Sequence, residues 1–178
     1  MIRPTIAIAA AAAALTVGTV PAAAAAPVRT TAVLGVTPGS YVYGNAVPAG
    51  ARAMVHAIAT GSGKTIVTLH VFGLEPNREY GAHAHRNACG ASPLDAGGHF
   101  QHEMGGATDP AYANPRNEIW LDVTTDVDGN GASQATVDWT FAPANSAHSV
   151  VLHDHHTATD PGVAGTAGPR LACLTVEF

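Results

Sequence analysis

Short runs in which apolar and polar residues alternate, punctuated by Gly, Pro, Asn and Asp, constrain this chain more than any other feature. Residues 64–72 are the clearest case: Val67, Leu69 and Val71 share one face, and Thr68 and His70 share the other. Successive side chains of a strand point to opposite faces, so such a segment has one core side and one wet side. Gly61-Ser62-Gly63 joins it to residues 51–60 as a three-residue hairpin connection. Strand character returns over residues 120–125, and residues 126–131 form a polar turn. Ala135, Val137, Trp139 and Phe141 then alternate inward, and residues 149–153 and 170–178 supply further strands. Helical periodicity is nearly absent and no internal repeat is visible. The pattern predicts an all-β fold, a Greek-key β-barrel or sandwich of about eight antiparallel strands. Trp120 and Trp139 are expected in its core.

Two connections break the rhythm, residues 86–117 and residues 154–169. A stretch of about 30 residues without periodic structure is unusual in a compact domain, and such loops usually carry function. Residues 26–31 read as a lead-in, with order expected from about Thr31.

Residues 1–26 have one basic residue, Arg3, then a run of Ala, Ile, Leu and Val to Val20, then small residues. That is the pattern of a secretory signal peptide, with an apolar core too short to span a bilayer comfortably. The expected product is an exported, soluble domain over residues 27–178, secreted or held in the cell envelope, with no membrane span. Without Arg3, seven basic residues face thirteen acidic ones, a balance of −6 with His neutral, which argues against nucleic acid as a partner. The two cysteines, Cys89 and Cys173, are an even count, and outside the cytosol they are expected to pair. Closing a loop of about 85 residues stabilises by roughly 4 to 5 kcal/mol on chain-entropy grounds.

His83 and His85 end a strand-like run, Glu79-Tyr80-Gly81-Ala82-His83-Ala84-His85. Positions i and i+2 of a strand point to the same face, roughly 7 Å apart along the chain, so two imidazoles there can grip one ion. His99 lies in the first long connection, and His153 stands where the second begins.

At this point the chain resembles a known family. The stretch Val71-Phe72-Gly73-Leu74-Glu75-Pro76, followed by Gly81-Ala82-His83-Ala84-His85, is similar to the G-F-H-x-H copper motif of copper/zinc superoxide dismutases. Gly97-Gly98-His99-Phe100 resembles that family's G-P-H-F around a bridging histidine. Val150-Val151-Leu152-His153-Asp154 resembles the strand ending in its last copper histidine. Gly165-Thr166-Ala167-Gly168-Pro169-Arg170-Leu171-Ala172-Cys173 resembles its G-N-A-G-x-R-L-A-C signature, and the likeness spans residues 31–178.

The resemblance implies a Greek-key fold and dismutation of superoxide to O2 and H2O2. It makes His83, His85, His99 and His153 the copper ligands, in keeping with the affinity of imidazole for copper. Arg170 becomes the guanidinium that attracts and orients superoxide, and Cys89 and Cys173 become the family's disulfide. His99 becomes the proton shuttle, because in the family this histidine bridges copper to zinc and picks up a proton when copper is reduced.

The likeness fails at zinc. One family ligand follows the bridging histidine by eight residues, where this chain has Ala107, and the H-V-G-D motif is replaced by Asn117-Glu118-Ile119-Trp120. Two arrangements stay open. In one, His102 and His99 form a rearranged zinc site with Asp109 or Glu118. In the other the protein uses copper alone, and Glu118 or His102 hydrogen-bonds the outer nitrogen of His99. His155 and His156 are expected to be polar loop residues. An exported copper-binding or copper-buffering protein of the same fold, with little turnover, is the alternative function.

Overall fold

The computed structural model describes residues 26–178. The signal peptide expected over residues 1–26 lies, apart from Ala26, outside the described residues. Nine strands follow one another: β1 Val28–Val33, β2 Ser40–Val42, β3 Arg52–Ala59, β4 Thr65–Phe72, β5 Glu79–His85, β6 Val123–Thr124, β7 Gly131–Val137, β8 Ser149–His153 and β9 Arg170–Thr175. Among the described residues there is no helix.

The strands form two antiparallel sheets, ordered β1-β3-β4-β7 and β2-β9-β8-β5-β6. The chain passes from one sheet to the other between β1 and β2, β2 and β3, β4 and β5, β6 and β7, and β7 and β8. Neighbours distant in sequence, such as β4 with β7 and β5 with β8, are therefore paired by Greek-key connections. The hairpin joining β3 to β4 closes at Gly63, whose φ of 80° favours glycine, with Thr60 N–H donating to the Lys64 carbonyl at 2.8 Å.

Two sequence expectations are corrected. The first strand among the described residues starts at Val28, ahead of Thr31, because residues 28–33 pair along β3 from Val28 opposite Ala57 to Val33 opposite Arg52. Residues 120–125 yield only the two-residue β6, since Trp120 joins the sheet through a single bridge to His83.

Alternation decides which residues fill the space between the sheets. Val55, Val67, Leu69 and Val71 come from one sheet, and Ala82, Ala84, Val150, Leu152, Ala172 and Leu174 from the other. Since Ala82 and Ala84 face the core, His83 and His85 face the opposite side of their sheet. That outer side is not wet: His83 and His85 are fully buried beneath the long connections, residues 86–122 and 154–169. Cys173 and Val151 lie on the same outer side, packed with Ala96 of the first connection. The Cys89–Cys173 disulfide pins that connection to β9, with the two Cα atoms 5.7 Å apart.

Candidate metal centre

His83 and His85 come from β5, His153 ends β8, and His99 is drawn to the end of β5 by a bridge to His85. A bulge between Leu152 and His153 shifts the β8–β9 register so that His153 lies opposite Arg170, while on its other side the regular β5–β8 ladder sets it opposite Gly81. Gly81 is required by close approach. A Cβ there would lie 2.5 Å from the His155 carbonyl and 2.6 Å from the Ala167 side chain, so the second connection could not lie against β5.

One ring nitrogen from each of His83, His85, His99 and His153 lies within 4.8 Å of the others. Opposite ligands of one ion lie about 4 Å apart at ~2.0 Å per metal–nitrogen bond, so this spacing suits a single ion. The far side of each ring shows which nitrogen is free. His85 Nδ1 donates to the Gly97 carbonyl at 3.0 Å, and His153 Nδ1 donates to the Gly168 carbonyl at 3.3 Å. His99 Nδ1 donates to Glu118 Oε2 at 2.8 Å. These three rings therefore keep Nε2 as the lone-pair nitrogen. His83 is reversed: its Nε2 meets the Thr157 hydroxyl at 2.6 Å, and its buried Nδ1 has no partner.

Two features show that the donor set fits a cation. An unpartnered buried nitrogen is rare because it has lost water without replacement. Moreover, the Nε2 atoms of His85 and His153 are 3.4 Å apart, and with both Nδ1 protons given to carbonyls they present two lone pairs to each other. A cation between them relieves that opposition while keeping both bonds to the carbonyls. Burial, reinforced by the neighbouring histidines and Arg170, holds His83 and His85 well below the usual imidazole range. Burial also lowers His153 to about 4, against the opposing effect of its bond to the Gly168 carbonyl. His83, His85 and His153 are thus held neutral, the form that binds a metal.

A cavity of about 490 Å3 opens over His99 and His153 and is lined also by Arg86, Glu118 and Arg170. Arg170 is held by the first connection, with Nη1 donating to the Pro93 carbonyl and Nη2 to the Gly97 carbonyl, both at 2.6 Å. Gly97 O therefore orients both His85 and Arg170.

Among the residues expected near zinc, only Glu118 reaches the centre. It is buried, accepting from His99 Nδ1 and from Trp120 Nε1 at 2.7 Å on Oε2, and from Gln101 Nε2 at 2.9 Å on Oε1. His102 turns away and stacks on Trp139, rings 4.7 Å apart and 2° from parallel. Asp109 is exposed and accepts the Ala111 N–H of its own turn at 2.9 Å. Among the described residues no second group of three or more His, Cys, Asp or Glu is close enough to share an ion. His155 and His156 are exposed loop residues.

Sequence reasoning missed Asp122 and Thr157, which support His83 from behind, and it placed Trp120 in the core although its ring lies edge-on to His83. Asp122 carried a signal, a lone carboxylate within Ile119-Trp120-Leu121-Asp122-Val123. Thr157 carried none.

Fold and site together define a class, the Greek-key β-sandwich with a four-histidine centre beneath two long connections. Comparison with solved structures gives that sandwich its relatives. The chain is similar to a clock protein designated EA4, with a TM-score of 0.58 and 19% identity over 91% of this chain and 98% of that one. It is similar to the Cu/Zn superoxide dismutase from Brucella abortus, with a TM-score of 0.52 and 19% identity over 84% of this chain and 99% of that one. A double mutant of a superoxide dismutase-like protein from Bacillus subtilis aligns with a TM-score of 0.52 and 15% identity over 69% and 87% of the two chains. No family model and no curated protein sequence matches the chain. The fold is that of the copper/zinc superoxide dismutases.

Proposed function

We propose that this protein is an exported superoxide dismutase that works with copper alone. His83 would hold the ion through Nδ1, and His85, His99 and His153 through Nε2. The observation that carries this reading is the convergence of one ring nitrogen from each of four histidines within 4.8 Å, beside a cavity that Arg170 also lines. Four imidazoles suit copper. Bound copper would supply a one-electron couple: one superoxide gives up an electron and leaves as O2, and a second gains an electron and two protons and leaves as H2O2.

The chain's own residues do the rest. Arg170, fixed by two carbonyls, presents a guanidinium that draws the anion in and orients it, a use that copper storage does not require. His99 borders the cavity and is the proton carrier, with Nε2 as the exchanging nitrogen and Nδ1–H held by Glu118. Glu118 thereby takes over the orientation of His99 that zinc performs elsewhere in the family, and with His102 and Asp109 turned away no further ligands join it.

The test is superoxide removal by copper-loaded protein, with Arg170→Ala and His153→Ala as controls. Wild-type activity well above free copper, with both variants impaired, is expected. Activity no greater than free copper sinks the enzyme and leaves the copper-buffering alternative. Metal analysis after refolding with both ions tests the second half, since one tightly held zinc per chain rejects the copper-only centre.

A further inference from the structure

His83 differs from the other three rings in what fixes it. A carbonyl or carboxylate can only accept, so it dictates a proton on the nitrogen it meets; a hydroxyl both donates and accepts and dictates nothing alone. The group behind Thr157 removes that ambiguity. Thr157 Oγ1 lies 2.6 Å from Asp122 Oδ1, the Thr157 N–H donates to Asp122 Oδ2 at 2.8 Å, and the Ala82 N–H donates to Oδ1 at 3.2 Å. The carboxylate accepts all three, so the single hydroxyl proton of Thr157 points at Asp122. Its oxygen must then accept from His83 Nε2–H, 2.6 Å away. Direct contact is excluded, because His83 Nε2 and Asp122 Oδ1 are 3.9 Å apart. The bare nitrogen this leaves, Nδ1, is the buried one without a partner.

We propose that Thr157 is a positioning residue, a hydroxyl relay that carries the Asp122 carboxylate to His83 and locks its Nε2–H tautomer, so that Nδ1 faces the ion. The proposal rests on the copper-site reading above. The relay joins three segments: Ala82 belongs to β5, Asp122 precedes β6, and Thr157 lies in the second connection. Seating that connection and choosing the ligand nitrogen are therefore one event.

The experiment compares wild type, Thr157→Val, which keeps the shape and loses the hydroxyl, and Thr157→Ser, which restores it. Nitrogen-15 NMR of the metal-free proteins is expected to show His83 protonated at Nε2 in wild type and Thr157→Ser, and a tautomer mixture in Thr157→Val. Affinity for copper(II) alone, measured by chelator competition, is expected to fall about 10- to 100-fold in Thr157→Val with an altered Cu(II) EPR spectrum, and to return in Thr157→Ser. An Nδ1–H tautomer in wild type, wild-type copper affinity and spectrum in Thr157→Val, or no rescue by serine each overturns the relay. Failure of the copper reading looks different: His153→Ala would leave copper affinity unchanged, while the metal-free NMR would still decide the tautomer.

Discussion

Replacing Glu118 by glutamine separates the charge of this residue from its shape. In wild type its two oxygens accept three donors, two on Oε2 from His99 and Trp120 and one on Oε1 from Gln101. The amide oxygen of glutamine can take over the two bonds on Oε2, but its NH2 then faces the Gln101 NH2, donor against donor. Gln101 escapes only by flipping, which surrenders the bond its Oε1 accepts from the Gly105 N–H at 3.0 Å. Either way one buried bond is lost, at about 1 to 3 kcal/mol. At about 2–4 °C per kcal/mol for a domain of this size, thermal unfolding of the metal-free protein should move down measurably. Loss of the negative charge behind His99 also makes its Nε2 a poorer donor, so copper(II) affinity should fall about 10- to 100-fold. Urea unfolding of the metal-free protein gives the first quantity and chelator competition the second. A Glu118→Gln variant within about 0.5 kcal/mol of wild type, as for a surface substitution, and with unchanged copper affinity, refutes the role assigned to this carboxylate.

Metal-free protein should lose stability as the pH falls from about 6.5 toward 4. The folded state lowers His153 from 6.5 to about 4 by burial, so the unfolded chain takes the proton first, and about 3 kcal/mol is lost across that window from this residue alone; equal urea midpoints at its two ends contradict this. Cys89→Ser with Cys173→Ser, opening a cross-link of sequence separation 84, should cost about 4 to 5 kcal/mol in urea unfolding, and a loss below about 1 kcal/mol rejects the estimate. Gly81→Ala should destabilise by about 1 to 3 kcal/mol through collision with the His155 carbonyl, whereas Gly61→Ala, where a Cβ meets nothing within 4 Å, should be neutral or slightly stabilising. Residues 154–169 contain no Lys or Arg and the chain is acidic, so on the proposed dismutase reading turnover should depend only weakly on ionic strength; a steep fall between low and physiological salt counts against this.

What could be read from the sequence is what repeats with a period. Val67, Leu69 and Val71 betray β4 and its buried face, Gly61-Ser62-Gly63 betrays the hairpin, and His83 and His85 share a face because they are two residues apart. Contacts between loops have no period. Asp122 and Thr157 meet across 35 residues of chain, and Ala82 and Asp122 across 40. His102 was a plausible ligand by spacing, yet stacking on Trp139 takes it away, and that competition between an aromatic face and an ion is invisible until both loops are folded. Lead-in residues from Val28 gave no strong alternation and were recruited as a strand by β3. There, tertiary pairing outweighed local pattern.

The same division organises the centre. Strands supply three of its histidines, His83, His85 and His153, and so set the spacing of the rings. The groups that choose which nitrogen each ring presents all lie in the two long connections: Gly97 and Glu118 in residues 86–122, Thr157 and Gly168 in residues 154–169. The first connection is tied to β9 twice, by the Cys89–Cys173 bond and by Arg170 on the Pro93 and Gly97 carbonyls. The second is tied by Asp122 and by the close approach to Gly81. Freeing either connection therefore leaves the β-sandwich and its three strand histidines in place, while the rings it orients lose their fixed tautomers and, for the first connection, His99 itself is released. Pre-orientation of neutral imidazoles is what spares a metal ion the work of ordering its own ligands. The two connections are thus the parts that would turn three strand histidines and His99 into a metal centre.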